Sequence, residues 1–286
     1  GFIGKNLIKA LEKSNFKVLI CSRKPHKKKF NINYTKQDIG KELNNVIRKF
    51  NPEILIHLAW QGIPNFSLKN CNENIKKNIF FLNNISNLPS LKKIIITGSC
   101  LEYGSYNGTC KEDVSYKANS FFSYSKNVIR EFLDMICKEK NINYVWLRLF
   151  YVYGFNQRKN KIKQIILKNL LNKTKIKIKN PSASNDYIYI QDVVNAIMKS
   201  LKIKKIKSVI NIGSGKITSI QELVKKIEKI LSLNNEFSKK IFKNNKVKKQ
   251  KGKKSFNSKA KKLLNWSPKY TLEEGLFEVL KIRKLL

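Results

Sequence analysis

The chain has 286 residues, of which 42% are hydrophobic, and a formal net charge of +40. This length and composition are sufficient for a full core, which excludes a disordered chain, and no apolar run is long enough to cross a bilayer. The positive charge is nearly all lysine and is spread along the chain, which argues against a specific nucleic-acid partner, because such sites concentrate arginine and aromatic residues on one face.

The cysteine pattern and the first residues of the sequence indicate where in the cell the protein is expected. The five cysteines include no C-x-x-C pair, which argues against a disulfide framework and against a metal site. No leader peptide is recognisable at the start of the sequence. The chain is therefore expected to be soluble and cytoplasmic, with no membrane partner.

The first predicted element is a glycine turn that leads into a helix, with apolar residues at helical spacing from Leu7 to Leu11. Glycines at such a turn let the backbone approach a pyrophosphate at the helix N-terminus. A helix start that merely tolerates glycine is the alternative. The strand and the first glycine that should precede the turn are absent, so the sequence is interpreted as a fragment without the first strand of a doubly wound sheet. The cofactor-binding residues predicted here are Gly1, Phe2, Ile3 and Gly4.

The next strand, Val18 to Cys21, is followed by residues that bear on cofactor choice. In dinucleotide-binding folds an acidic residue near this point holds the ribose 2′-hydroxyl of NAD. Ser22 and Arg23 stand here instead, and a hydroxyl and a guanidinium suit a 2′-phosphate. NADP(H) is therefore the preferred cofactor and NAD(H) the second choice. The alternative is a solvated arginine beside a basic run.

The stretch from Ile94 to Lys126 carries the chemistry. Ile94 to Ile96 predict a buried parallel strand whose carboxyl end continues through Thr97 and Gly98 to Ser99. Ligands bind at this edge of open α/β sheets. A helix predicted to begin near Ser120 places Phe122 and Lys126 four residues apart on one face. A hydroxyl at a strand end and a lysine on the following helix can converge on one reacting carbon.

In residue type and spacing this stretch resembles the extended branch of the short-chain dehydrogenase/reductase family, the NAD(P)-dependent sugar epimerases, dehydratases and reductases. The marks of that family are a Ser or Thr ahead of a Tyr-Gly pair and then a Tyr-x-x-x-Lys helix. Ser99, Tyr103-Gly104 and Lys126 fit these marks, and Phe122 occupies the position of the catalytic tyrosine.

The resemblance covers essentially the whole chain and implies an α/β fold. The expected architecture is a doubly wound Rossmann-type parallel sheet, without its first strand, together with a small α/β substrate lobe. Residues 1–155 and about 181–215 are assigned to the NAD(P)-binding domain. Residues about 156–180 and 216–286 are assigned to the substrate lobe.

The resemblance also implies catalytic roles. Ser99 would orient the sugar oxygen, and Lys126 would hold the nicotinamide ribose. Tyr124 would supply the proton if the helix began later than expected, although two residues are about 200° apart around a helix. Otherwise another group or water would supply it, or the enzyme would be degenerate.

Further contacts are implied along the chain. Asp38 and Ile39 would lie against the adenine, and the segment from Trp60 to Asn65 would line the sugar pocket. A helix-surface amide is an equal alternative for Asn78, and a solvated loop is the alternative for most of the lysine run from 246 to 254. The remaining cofactor contacts implied are Leu58, Ala59, Asn78, Phe150 and Val152. The substrate contacts implied are Cys100, Tyr151, Asn185, Lys249 and Lys251, the two lysines as substitutes for a diphosphate-binding arginine.

The function predicted is that of an NAD(P)-dependent oxidoreductase that reduces or epimerises a nucleotide sugar at C4 for surface-polysaccharide synthesis. The partner expected is the nucleotide sugar, and the candidate assembly is a homodimer. A 4,6-dehydratase is not expected, because an acid pair does not follow Ser99. The alternative is a catalytically degenerate nucleotide-sugar or dinucleotide-binding subunit, which Phe122, Tyr151 and Asn185 favour, whereas Ser99 with Lys126 favours the enzyme.

Overall fold

The structure is a computed structural model that describes residues 1–24, 32–63, 65–114, 117–157, 178, 180–233, 238–239, 242 and 250–282. Lys249 and most of the stretch 156–180 expected in the substrate lobe lie outside the described residues. Within those ranges no helix is long and apolar enough to cross a membrane.

Helices and strands alternate along the chain. The helices are α1 (Phe2–Leu11), α2 (Asn45–Phe50), α3 (Leu68–Ser86), the 3₁₀ turn η1 (Cys100–Tyr103), α4 (Phe121–Glu139), α5 (Ile190–Lys202), α6 (Ile220–Ile230), α7 (Ser258–Leu264) and α8 (Leu272–Ile282). The strands are β1 (Val18–Ser22), β2 (Ile32–Lys36), β3 (Ile54–His57), β4 (Lys93–Ser99), β5 (Gly108–Cys110), β6 (Asn143–Leu149), β7 (Tyr151–Tyr153), β8 (Ser184–Tyr189), β9 (Lys207–Ile212), β10 (Ile217–Ser219) and β11 (Lys253–Ser255).

Four parallel strands form the main sheet in the order β3-β4-β6-β9, and β1 and β2 form a separate parallel pair. Both faces of the main sheet are covered. Ile95 packs with α1 and α5 on one face, while Ile94 and Ile96 pack with α3 and α4 on the other. Burial on both faces explains why β4 is a continuous β-branched run. The α/β fold with a parallel sheet predicted from the sequence is confirmed.

Two small sheets lie beyond the carboxyl ends of the main strands. One contains β7, β8 and β10, and the other pairs β5 with β11. The buried carboxylate of Asp186 on β8 accepts hydrogen bonds from the amides and hydroxyls of Ser214 and Ser255 and from the amide of Gly215. Asn211, near the end of β9, donates to the carbonyl of Cys110 on β5. The bonds of Asp186 thus tie β11 to β8, and the bond of Asn211 ties β5 to the end of β9.

Candidate active site

The predicted hydroxyl stands at the end of β4. Ser99 Oγ accepts a hydrogen bond from the amide of Leu101 at 3.2 Å, which begins η1. The amide of Ser99 donates to Glu102 Oε1 at 2.6 Å. This reciprocal capping box fixes the direction in which the chain leaves the sheet, so Ser99 is held at the carboxyl edge.

Glu102 belongs to a buried charged network that the sequence did not reveal. The residue is 0% exposed and accepts hydrogen bonds from Trp146 Nε1 at 3.1 Å and from Arg148 Nε at 2.8 Å. Arg148 is buried as well, and its guanidinium lies 4.6 Å from the ring centroid of Tyr103. The two buried charges are therefore paired and hydrogen-bonded, as burial of charge requires.

Lys126 reaches the same strand end from α4. It is 6% exposed, and its Nζ donates to the carbonyl of Thr97, two residues before Ser99, at 2.8 Å. The ring centroid of Trp60 lies 3.8 Å from Nζ. The pKa of Lys126 is lowered to about 7. Burial of the ammonium is the larger effect and lowers this pKa, and the negative charge of Glu102 partly opposes it. The ammonium can therefore lose its proton near neutral pH.

The start of α4 decides which aromatic residue faces the site. The helix begins near Ser120, as predicted, and Ser120 is its cap. Phe122 is 7% exposed, and its ring centroid lies 5.4 Å from that of Trp60 and 4.5 Å from that of Phe66. Tyr124 is 52% exposed. The assignment of Tyr124 as a catalytic residue is corrected accordingly, because two residues along a helix point to nearly opposite sides.

Two asparagines of α3 hold the loop that carries Trp60. Asn74 Oδ1 accepts from the amide of Gln61, and Asn74 Nδ2 donates to the carbonyl of Gln61, both at 3.0 Å. Asn70 Nδ2 donates to the carbonyl of Asn65 at 2.8 Å. The loop is thus anchored at both ends, with Trp60 placed over Lys126.

Several predicted cofactor residues meet where α1 approaches the end of β3. A Cβ added to Gly4 would lie 3.9 Å from Leu58 Cδ1, so the glycine turn and the end of β3 are neighbours. Asn78 is buried, and its Oδ1 lies 2.6 Å from His57 Nε2. The alternative interpretation of Asn78 as a surface amide is therefore wrong. His57 is a packed residue at the end of β3, stacked on Phe81.

The remaining predicted cofactor residues are more dispersed. Arg23 is exposed at the end of β1, and Ser22 Oγ donates to the carbonyl of Lys24 at 2.7 Å. Asp38 Oδ1 accepts from the amide of Gly40 at 2.8 Å. Ile39 and Val152 are half-buried and Ala59 is exposed, whereas the Phe150 side chain is buried in a small core with Cys100 and Cys110.

The predicted substrate residues lie beside β8 and β11. Tyr151 and Asn185 are half-buried, and Asn185 Nδ2 donates to the hydroxyl of Tyr187 at 3.3 Å. Cys100 is buried directly after Ser99. Lys251 is exposed, before β11 begins.

The cation that β11 brings inward is Lys253, which the sequence reasoning missed. It is 9% exposed. Burial raises the pKa of the Cys100 thiol, and the nearby charge of Lys253 opposes that rise. Burial also raises the pKa of the Cys110 thiol, to about 11, although the charge of Lys253 opposes the rise. A run of lysines carries no periodic signal to show which member is buried.

Comparison with known proteins gives the family. Residues 1–213 match the model of the NAD dependent epimerase/dehydratase family. The chain is 32% identical over 196 residues to dTDP-4-dehydro-6-deoxyglucose reductase of Escherichia coli, covering 66% of this chain and 62% of that protein, which is less than two thirds of its length. It is 24% identical over 295 residues to CDP-abequose synthase of Salmonella muenchen, covering 99% and 95% of the two chains.

A solved structure extends the likeness over the whole chain. It is a tyrosine-to-phenylalanine mutant of UDP-glucuronic acid 4-epimerase from Bacillus cereus, in complex with UDP-4-deoxy-4-fluoro-glucuronic acid and NAD. The TM-score is 0.80 at 25% identity, covering 100% of this chain and 97% of the other. With its parallel Rossmann-type sheet and the family match across residues 1–213, the chain belongs to the NAD dependent epimerase/dehydratase family.

Proposed function

We propose that this protein is an NADP(H)-preferring reductase that acts on the 4-keto group of a nucleotide sugar in surface-polysaccharide precursor synthesis, with C4 epimerisation as the alternative reaction. The observation that carries the proposal is the meeting of Ser99 and buried Lys126 at the carboxyl end of β4. That edge is where open α/β sheets bind their ligands.

The residues around α1 fit a dinucleotide. The helix begins at Phe2 without a side-chain cap from any described residue, and its first turn lies beside Leu58. Such a helix start can bind a pyrophosphate through its amides. The end of β1 offers Ser22 and exposed Arg23 and no acidic residue, which supports NADP(H) over NAD(H).

The bound dinucleotide would supply the hydride at its nicotinamide ring. The Ser99 hydroxyl would donate a hydrogen bond to the substrate carbonyl oxygen and orient it, and Lys126 would hold the nicotinamide ribose. Phe122 has no hydroxyl, and Tyr124 faces outward. Of the groups described near Ser99, Lys126 is the one whose pKa of about 7 suits proton donation to that oxygen near neutral pH.

For the substrate we propose a nucleotide-activated 4-keto-6-deoxy sugar. The similar reductase from Escherichia coli is named for a nucleotide-activated 4-keto-6-deoxy sugar. Trp60 and Phe66 border the site with apolar surface, which suits a methyl group better than a hydroxymethyl group. Lys253 is the buried cation we assign to the diphosphate, in place of exposed Lys251.

We also propose a homodimer. Helices α3 and α4 pack against each other and expose Leu68, Phe80 and Met135. Exposed apolar side chains on two adjacent helices favour association with a second copy. Sedimentation of Met135→Glu against the native protein tests this assembly, and a native protein that sediments as a monomer at high concentration contradicts it.

The function is tested with the full-length protein and a panel of 4-keto nucleotide sugars, following the loss of nicotinamide absorbance with NADPH and with NADH. Ser99→Ala and Lys126→Met should abolish turnover, whereas Tyr124→Phe is the matched control. Arg23→Ala should weaken NADPH binding and leave NADH binding unchanged. Binding of cofactor and nucleotide sugar without turnover would favour the silent binding subunit, for which Phe122 is the specific observation.

A further inference from the structure

Glu102 joins the two residues on which the proposed reaction depends. Its Oε1 accepts the amide of Ser99 at 2.6 Å, and its carboxylate also binds Trp146 and Arg148 on β6. The fit is tight, because a Cβ added to Gly98 would lie 2.3 Å from Oε1. The carboxylate therefore packs directly against the backbone at the end of β4.

Trp146 links Glu102 to Lys126. Its Nε1 donates to the carboxylate at 3.1 Å, and its ring centroid lies 5.7 Å from Lys126 Nζ. Burial lowers the pKa of Lys126, and Glu102 is the charge that opposes this effect. The buried ammonium thus depends on a neighbouring negative charge to remain protonated.

The other titratable groups around this pair do not offer that charge. Burial lowers the pKa of His57 on β3 to about 4, so the imidazole is neutral at pH 7. Burial raises the pKa values of Cys100 and Tyr103 on η1, so both are neutral too. Arg148 on β6 is positive, and Glu112, which follows β5, accepts from the amide of Asn211 instead.

We propose that Glu102 is a positioning residue of the reaction, whose carboxylate fixes the Ser99 amide at the end of β4 and is the buried counter-charge of the Lys126 ammonium. The inference rests on the proposed function for its catalytic meaning, whereas the charge pairing is a property of the protein alone. If Glu102 and Arg148 formed only a structural ion pair, apolar residues could replace them without changing the pH at which Lys126 titrates.

Two substitutions separate the two roles. Glu102→Asp keeps the charge but draws the carboxylate away from the Ser99 amide, so kcat should fall while Lys126 titrates as in the native protein. Glu102→Gln keeps an acceptor for the amide but removes the charge, so Lys126 should titrate about one to three pH units lower. Arg148→Met is the matched control, because it breaks the same ion pair and leaves the carboxylate.

The readout that needs no substrate is tryptophan fluorescence against pH. The Trp60 ring lies 3.8 Å from the ammonium, so the part of the signal that Trp60→Phe removes reports the charge of Lys126. The native midpoint is expected near pH 7, as the pKa of about 7 for Lys126 implies. It should fall in Glu102→Gln and not in Glu102→Asp or Arg148→Met. The decline of kcat with rising pH should move to lower pH with it.

The outcomes are distinguishable. A folded Glu102→Gln protein with an unmoved midpoint overturns the charge pairing, and Glu102→Asp with native kcat overturns the positioning of Ser99. Should Glu102→Gln not fold, the double variant Glu102→Gln/Arg148→Met removes both charges, and the same midpoint decides. A shifted midpoint in a protein that reduces no 4-keto nucleotide sugar means that the proposed function fails while the charge pairing holds.

Discussion

At the scale of single residues, a tyrosine substituted for Phe122 would add the hydroxyl that this position lacks. Its ring is buried on the same face of α4 as Lys126, four residues away, so a tyrosine here would present its phenol beside the ammonium. A positioned general acid contributes roughly 10²- to 10⁴-fold to rate. Because Lys126 is the proposed proton donor of the native protein, Phe122→Tyr should raise kcat for 4-ketosugar reduction by only a part of that factor.

The control for this substitution is Tyr124→Phe, which alters the exposed face of the same helix turn. It should leave kcat within about twofold of the native value, because surface changes away from a site are usually small. If Tyr124→Phe abolished turnover while Phe122→Tyr had no effect, the register of α4 in solution would differ from the one described.

His57 predicts a pH dependence of stability. Burial lowers its pKa from 6.5 to about 4, with the Asn78 hydrogen bond opposing that shift. The folded protein therefore binds this proton less tightly than the unfolded chain, so stability is full above pH 6.5 and is lost as the pH falls towards 4. The loss should be on the order of 3 kcal/mol.

Urea unfolding at about pH 8 and about pH 5 measures the part of this loss that falls above pH 5, roughly 2 kcal/mol. His57→Gln is the matched variant, because its amide can still donate to Asn78 Oδ1 but does not titrate. The pH-dependent loss should be smaller in His57→Gln than in the native protein. An equal loss of stability in the native protein and in His57→Gln would show that groups other than His57 cause it.

Sequence reasoning located some site residues and missed others for physical reasons. Ser99 and Lys126 could be placed because strand ends and helix periodicity act over short distances. The pairing of Glu102 with Arg148 could not be predicted, because nothing local shows which of several charged residues the fold will bury together. Lys253 was missed for the same reason within its lysine run.

At the scale of elements, β11 depends on one glycine. A Cβ at Gly252 would lie 1.9 Å from the carbonyl oxygen of Ser184, so the strand can lie against β8 only without a side chain there. Gly252→Ala should displace β11 and destabilise the protein by about 1–3 kcal/mol. Because Lys253 moves with the strand, the KM for the nucleotide sugar should rise more than kcat falls.

The matched control for Gly252→Ala is Lys254→Ala, an exposed change on the same strand. It should alter neither stability nor KM appreciably. Urea unfolding and steady-state kinetics measure the two effects. Native KM in Gly252→Ala would show that Lys253 does not contact the substrate.

The longer elements were predictable and the short ones were not. The β-branched run of β4 and the start of α4 at Ser120 follow from local pattern. The pairing of β5 with β11 joins two three-residue strands that lie far apart in the chain, at Gly108–Cys110 and Lys253–Ser255. Such short segments carry too little periodicity to be identified, and the bonds of Asp186 that hold them are tertiary.

At the scale of the whole molecule, the charge of +40 predicts a weak attraction to polyanions. Dispersed lysines give nonspecific phosphate contacts that salt displaces. DNA binding should therefore be independent of sequence and lost by roughly 200 mM salt. Fluorescence anisotropy with two unrelated duplexes tests this, and sequence-selective binding that persists at that salt would contradict the enzyme proposal.

The crowding at Gly98 also constrains how this protein can change over generations. A Cβ at position 98 would lie only 2.1 Å from Trp146 Nε1 and 2.3 Å from Glu102 Oε1, so these two side chains fill the space that it would need. A side chain at position 98 is therefore tolerated only after its two neighbours have become smaller, and each of those changes alone leaves a buried partner unsatisfied. The order in which mutations can accumulate is thus restricted here, and descendants should either retain these residues together or exchange them together.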